Sequence, residues 1–234
     1  MQTVTLSLHR FDGALARAWV LAQMGAARFS LPKVPRIGFW KLCGSGTDQG
    51  FTPRPNWGVW AILATWPDMA AARHGLTCAP FTTWRRRAAE SYTLFLEPFS
   101  ARGHWSGAKP FTPQGAPEGL IAAMTRATVK PARALRFWSR VPDISARIGT
   151  DPNVIFKIGI GEVPLLHQVT FSVWPDAETM AGFARTGPHA EAVRAVRDEG
   201  WFNEELYARF RIRGTAGSWQ GTDPLARHMI PEAA

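Results

Sequence analysis

Apolar and polar residues alternate with a period of two through Thr3-Val4-Thr5-Leu6-Ser7-Leu8, the signature of a strand with one buried face. The pattern then lengthens to a helical repeat around 13–27. Two more strand-like runs follow near 37–44 and 58–66, a second helix over about 68–91 and a last strand near 92–97. The rest of the chain reads in the same order. A less cleanly patterned strand runs from Ile121 to Val129, and a helix spans roughly 131–140, with Pro131 suited to its first turn. Strands come next near 153–160 and 166–174, then a helix at 176–198 and a strand near 206–212. Both second helices are entered through Trp-Pro-Asp, where Asp68 and Asp176 are expected to cap the free amides of the first turn.

The two β-α-β-β-α-β series share more than their order. Ala64-Thr65-Trp66-Pro67-Asp68 is echoed by Ser172-Val173-Trp174-Pro175-Asp176, and Phe39-Trp40-Lys41-Leu42 by Ile155-Phe156-Lys157-Ile158. Tyr92 and Trp105-Ser106-Gly107 find counterparts in Tyr207 and Trp219-Gln220-Gly221. Four landmarks in one order predict an internal duplication. The expected fold is α+β: tandem duplicated ferredoxin-like halves forming a fused dimeric α+β barrel around an apolar cavity. The halves are residues 1–107 and 120–234, joined by a breaker-rich linker at 108–119. Two independent modules are the alternative arrangement.

Composition narrows the function. A chain of 234 residues, 46% apolar, can bury a substantial core, and no run approaches the ~18 apolar residues of a membrane helix. Cys43 and Cys78 are the only cysteines, and the first residues lack an export signal, so a cytoplasmic address is expected. The net charge of +9 favours anionic lipid or an acidic partner protein. No recognition motif supports nucleic acid.

Duplication also supplies an internal control, because a residue needed for one site need appear in only one copy. Twelve positions after Asp68 stands Pro80-Phe81, and twelve after Asp176 stands Pro188-His189. His189 is therefore the candidate metal ligand, suited to haem iron. A metal-free cavity histidine and a half-buried, hydrogen-bonded side chain are the other readings. His167 shares a strand face with Val169, Phe171 and Val173 and is the catalytic candidate, or else a satisfied core histidine. Lys157, on a face with Gly159 and Gly161 that leaves room for close approach by a ligand, is a candidate partner for a haem propionate. Its match to Lys41 allows a shared structural role instead. Phe183, on the expected helix that carries His189, completes the cofactor-binding set. Gly44-Ser45-Gly46 and Gly159-Ile160-Gly161 are too short for phosphate fingerprints, and the remaining histidines have no metal spacing.

The segments Gly38 to Gly46, Trp60 to Asp68, Asp151 to Glu162 and Leu166 to Asp176 resemble the spheroidene monooxygenase family of bacterial carotenoid ketolases. The resemblance runs nearly end to end. It implies a haem b enzyme that uses dioxygen and electrons from reduced ferredoxin. The implied reaction oxygenates an acyclic carotenoid next to its methoxylated end, by hydroxylation and then a second oxidation to the ketone. The second half also resembles small haem-degrading monooxygenases; set on Trp174-Pro175-Asp176, their ligand position falls on Val193, with His189 one turn earlier on the same helix face. Positive charge would then serve ferredoxin docking and peripheral contact with an anionic membrane. The rival readings are a haem-degrading or cofactor-free oxygenase of the same fold, and a carotenoid or haem carrier without turnover.

Overall fold

A computed structural model of the chain describes residues 1–50, 52–139, 151–185 and 199–229. Eight strands form the frame: β1 (Thr3–Arg10), β2 (Trp40–Gly46), β3 (Pro55–Trp66), β4 (Glu90–Gly103), β5 (Ile121–Val129), β6 (Phe156–Val163), β7 (His167–Trp174) and β8 (Phe202–Gly217). They close a barrel in the order β1-β3-β2-β6-β7-β5-β8-β4, and every pairing is antiparallel. The order β4-β1-β3-β2 in the first half recurs as β8-β5-β7-β6 in the second.

Alternation decides what lies inside. Val4, Leu6 and Leu8 of β1 point into the barrel with Leu94, Met124, Phe171 and Phe210. The intervening Thr5, Ser7 and His9 point outward and are nevertheless buried, because helices cover that face. The barrel interior is thus packed with apolar side chains. Eight strands leave just enough room for such filling.

Helices α1 (Ala14–Ser30), α3 (Met69–Gly75) and α4 (Phe81–Arg87) lie over the first half, and α2 (Thr47–Gly50) sits beside β6. In the second half, residues 134–139 form α5 and Ala177–Arg185 form α6. The helix expected across 68–91 is broken in two. Pro80 has no amide hydrogen to continue a helical ladder, and α3 ends at Gly75, where a Cβ would stand 2.2 Å from the Trp66 ring. Both expected caps form: Asp68 Oδ1 accepts from Ala71 N–H and Asp176 Oδ1 from Thr179 N–H, each at 2.7 Å. The later part of the expected 176–198 helix, including His189, lies outside the described residues.

One turn recurs across the barrel. Trp105 bridges to Ala108 and Trp219 to Thr222, with Ser106, Gly107, Gln220 and Gly221 all at positive φ. This points two successive amides at one acceptor. Glu204 of β8 accepts from Ser106 and Gly107 N–H at 2.8 and 2.7 Å, and Glu90 of β4 accepts from Gln220 and Gly221 at 2.9 and 2.7 Å. Burial pushes each carboxyl upward, but the donors outweigh it and hold both below the usual glutamate value. Each half is therefore clasped by the other.

The two junctions between halves are unequal. β4 and β8 stay paired from Tyr92↔Gly217 to Gly103↔Leu206, whereas β2 and β6 share only Gly44↔Gly161 and Ser45↔Ile160. The short seam is where the wall opens.

Candidate active site

The inward faces of β2 and β6 bring charge to one end of an apolar interior. On β2, Lys41 and Cys43 point in, because Lys41 pairs with the interior Leu63. On β6 the register shifts between Gly161 and Val163, and Glu162 becomes the hub. Its carboxylate lies 2.8 Å from Lys41 Nζ and 3.6 Å from Arg126 Nη2, and accepts from Trp105 Nε1–H at 2.7 Å. Arg126 is 2% exposed and also pairs with Glu204. Lys41 and Arg126 both sit near the Trp105 ring, at 5.9 and 5.8 Å from its centroid. Burial alone pushes the Glu162 carboxyl up, and hydrogen bonds from Lys41 and Trp105, with the Lys41 and Arg126 charges, bring it below the ordinary value. Glu162 is ionised at neutral pH.

His167 reaches the same cluster. Its Nδ1 is 3.8 Å from Glu162 Oε2, beyond hydrogen-bond distance, and is buried without a partner. Burial lowers its pKa first, with Glu162 pulling it up and Arg126 and Lys41 pushing it down, so the ring is neutral at pH 7. Cys43 is buried beside them; burial first, then Glu162, pushes its thiol far up. A protonated, enclosed thiol is a poor nucleophile and a poor ligand.

A cavity of about 250 Å³ opens at the β2–β6 seam. Gly44, Trp60 and Gln168 contribute from the outer face and Ile160 and Glu162 from the inner one, so it penetrates the barrel wall. Its outer walls are Leu21 and Met24 of α1, Trp57, Trp138 of α5 and Leu165. Trp138 is fixed there by a 3.0 Å hydrogen bond from its indole N–H to Leu165 O. The cavity is walled mainly by apolar groups, with Arg54 also in its lining, and carries the Glu162 carboxylate at its floor.

The residues singled out from the sequence do not all meet. His167 lies inside the barrel, on the face of Val169, Phe171 and Val173 as the alternation requires. Lys157 is on the outer face, paired with Ser172, and burial lowers its pKa. Phe183 is also outside, with its ring 5.0 Å from that of Trp174. The sheet separates His167 from Lys157 and Phe183, and His189 lies outside the described residues. Lys41 and Lys157, matched by sequence, face opposite ways, because the inward positions of β6 are Phe156, Ile158 and Ile160. The room expected at Gly159 and Gly161 is taken by backbone: a Cβ on either would stand 2.3 Å from Gly50 O and His167 O respectively. Sequence reasoning missed Glu162, Arg126, Trp105 and Trp138. Arg126, a charge inside the strand Ile121–Val129, was the visible signal.

Fold and site define a closed antiparallel α+β barrel with an apolar, carboxylate-floored cavity in its wall. The same fold is seen in a solved aldoxime dehydratase, with a TM-score of 0.62, 14% identity, and coverage of 90% of this chain and 81% of that one. No family model matches the sequence. Curated relatives do. Spheroidene monooxygenase of Rhodobacter capsulatus is 53% identical over 236 residues, covering 98% of both chains. The protein of that name from Cereibacter sphaeroides is 55% identical over 98% of this chain and 72% of its own. That from Rubrivivax gelatinosus is 35% identical over 88% of this chain and 80% of its own. The chain belongs to the spheroidene monooxygenase family.

Proposed function

We propose that the protein inserts oxygen into an acyclic carotenoid of the spheroidene type, hydroxylating it and then oxidising the same carbon to a ketone. The observation that carries this reading is the seam cavity, in a chain of this family. Aromatic and aliphatic walls suit a polyene end, and exclusion of water protects a reactive oxygen species from side reactions. Dioxygen supplies the inserted atom.

Insertion into an unactivated C–H bond is beyond ordinary side chains, so the proposal includes haem b, which would activate dioxygen when bound. The outer face of the second half fits its periphery: the half-buried Lys157 amine matches a propionate, and Phe183 with Trp174 forms an aromatic wall. Lys157 lies four residues along β6 from Gly161 of the cavity, roughly 13 Å. His189 is the residue proposed to hold the iron when haem is bound. On the inner face, neutral His167 beside ionised Glu162 can take up a proton, while Lys41 and Arg126 fix the carboxylate. The excess of positive charge supports reduced ferredoxin as donor and peripheral contact with an anionic membrane. The recurring strand order and the two reciprocal Trp-turn clasps support tandem duplication, with halves at 1–107 and 120–234 and a linker at 108–119.

The test is incubation of haem-supplemented protein with spheroidene, a reduced ferredoxin and isotopically heavy dioxygen, read by mass spectrometry. A labelled carbonyl is expected. Absence of labelled product refutes the oxygenase reading; a product without haem absorbance refutes the cofactor; and loss of the Soret band in His167→Ala but not in His189→Ala refutes the ligand assignment.

A further inference from the structure

Helix α1 carries apolar residues on two opposite faces. Val20 and Ala27 pack against the barrel, and the opposite stripe, Leu15, Ala18, Ala22, Ala26 and Phe29, faces solvent at the i, i+3, i+4 spacing of one helix face. Leu15 is 89% exposed and Phe29 77%. The helix contains no acidic residue. Its charges are Arg17 and Arg28, which fall on one flank with Leu21 and Met24, and those two side chains line the seam cavity. Across the mouth, Trp57 is 52% exposed and Arg54 stands beside it in the lining. Among the described residues, Arg17, Arg28 and Arg54 have no carboxylate partner. An apolar stripe roughly 21 Å long, flanked by arginines that lack a carboxylate partner and by an exposed tryptophan, is the pattern of a helix that lies in a lipid interface.

We propose that the outer stripe of α1 and the Trp57 rim seat on an anionic bilayer, so that the seam cavity opens directly into lipid. Charge selects this occupant over a second copy of the chain. An anionic surface neutralises the arginines, whereas two chains of net charge +9 would bring like charges together. Seated this way, an isoprenoid chain passes from the bilayer between Leu21 and Trp57 towards Glu162 without crossing water. What enters the cavity rests on the reading of the substrate as a carotenoid; the docking face does not.

The experiment is co-sedimentation of the protein with vesicles of equal parts phosphatidylglycerol and phosphatidylcholine, and with vesicles of phosphatidylcholine alone. Binding to the anionic vesicles that weakens with salt is expected. Leu15→Glu/Phe29→Glu, at exposed positions outside the cavity, should lower the partition at least tenfold, and Arg28→Gln roughly fivefold. Arg209→Gln, on the exposed face of β8 across the barrel, should leave it unchanged. The double variant should keep its turnover of detergent-dispersed carotenoid and lose that of vesicle-embedded carotenoid. Failure of the native protein to bind anionic vesicles overturns the proposal, as does equal binding by the double variant. A native dimer that the double variant splits, without lipid binding, assigns the face to a second copy instead. Lipid binding without any oxygenation leaves the docking face standing and removes the carotenoid reading.

Discussion

His9 sits under the helices of the first half, and its burial makes the fold sensitive to mild acid. Its ring lies 5.5 Å from that of Trp84 and 6.3 Å from that of Phe11, Nδ1 is 2.9 Å from Ser91 Oγ, and Nε2 is buried without a partner. Burial, reinforced by Arg85, lowers its pKa to about 3. The unfolded chain protonates this ring near pH 6.5, and the folded chain does not until about 3. Because the folded value is depressed, the stabilisation is complete above pH 6.5 and is lost as pH falls from there towards 3. The slope approaches roughly 1.4 kcal/mol per pH unit, so passing from pH 7 to pH 5 removes about 2 kcal/mol. His9→Asn cannot titrate. The variant should be less stable at pH 7, with a dependence between pH 7 and pH 5 flatter by about that amount. His167 also titrates low, but it is present in both proteins and cancels in the difference. Urea unfolding followed by tryptophan fluorescence at pH 7, 6 and 5 measures it. Equal losses in the two proteins would refute the reasoning, since another group would then carry the acid sensitivity.

Removing the hub carboxylate in Glu162→Ala leaves Lys41 without its carboxylate and Arg126 with Glu204 alone, and should cost about 3 kcal/mol in chemical unfolding; Glu162→Gln, which keeps an acceptor for Trp105, should cost less. A loss below about 1 kcal/mol in the alanine variant would show that the charges find other partners. Two glycine variants should move thermal stability in opposite directions. Gly159→Ala drives a methyl into Gly50 O and should lower the midpoint, whereas Gly25→Ala, in open space on α1, should raise stability by about 0.5–1 kcal/mol. In native protein, Cys78 should react with iodoacetamide well before Cys43, the two rates converging only in denaturant.

The strands were legible because burial imposes its own period. Thr3 to Leu8 alternates, and β1 emerged there; Trp-Pro-Asp marked two helix starts, and both aspartates cap as their chemistry requires. His167 was placed on the correct face by the same rule. The break at Pro80 was readable too, and was outweighed by the helical run around it.

What a single strand's pattern determines is which residues share a face; it does not determine which face turns inward. That is set by pairing, and pairing put Lys41 inside and Lys157 outside although their sequences match. Nor does the pattern say which strands leave their edges short. The seam between β2 and β6, the entry of Glu162 into an apolar interior, and the close approach of Gly50 to Gly159 all arise where segments distant in sequence meet. The sequence settled the periods, the caps and the family. Closure of the barrel decided the site, because only closure fixes which side chains must share a space without water.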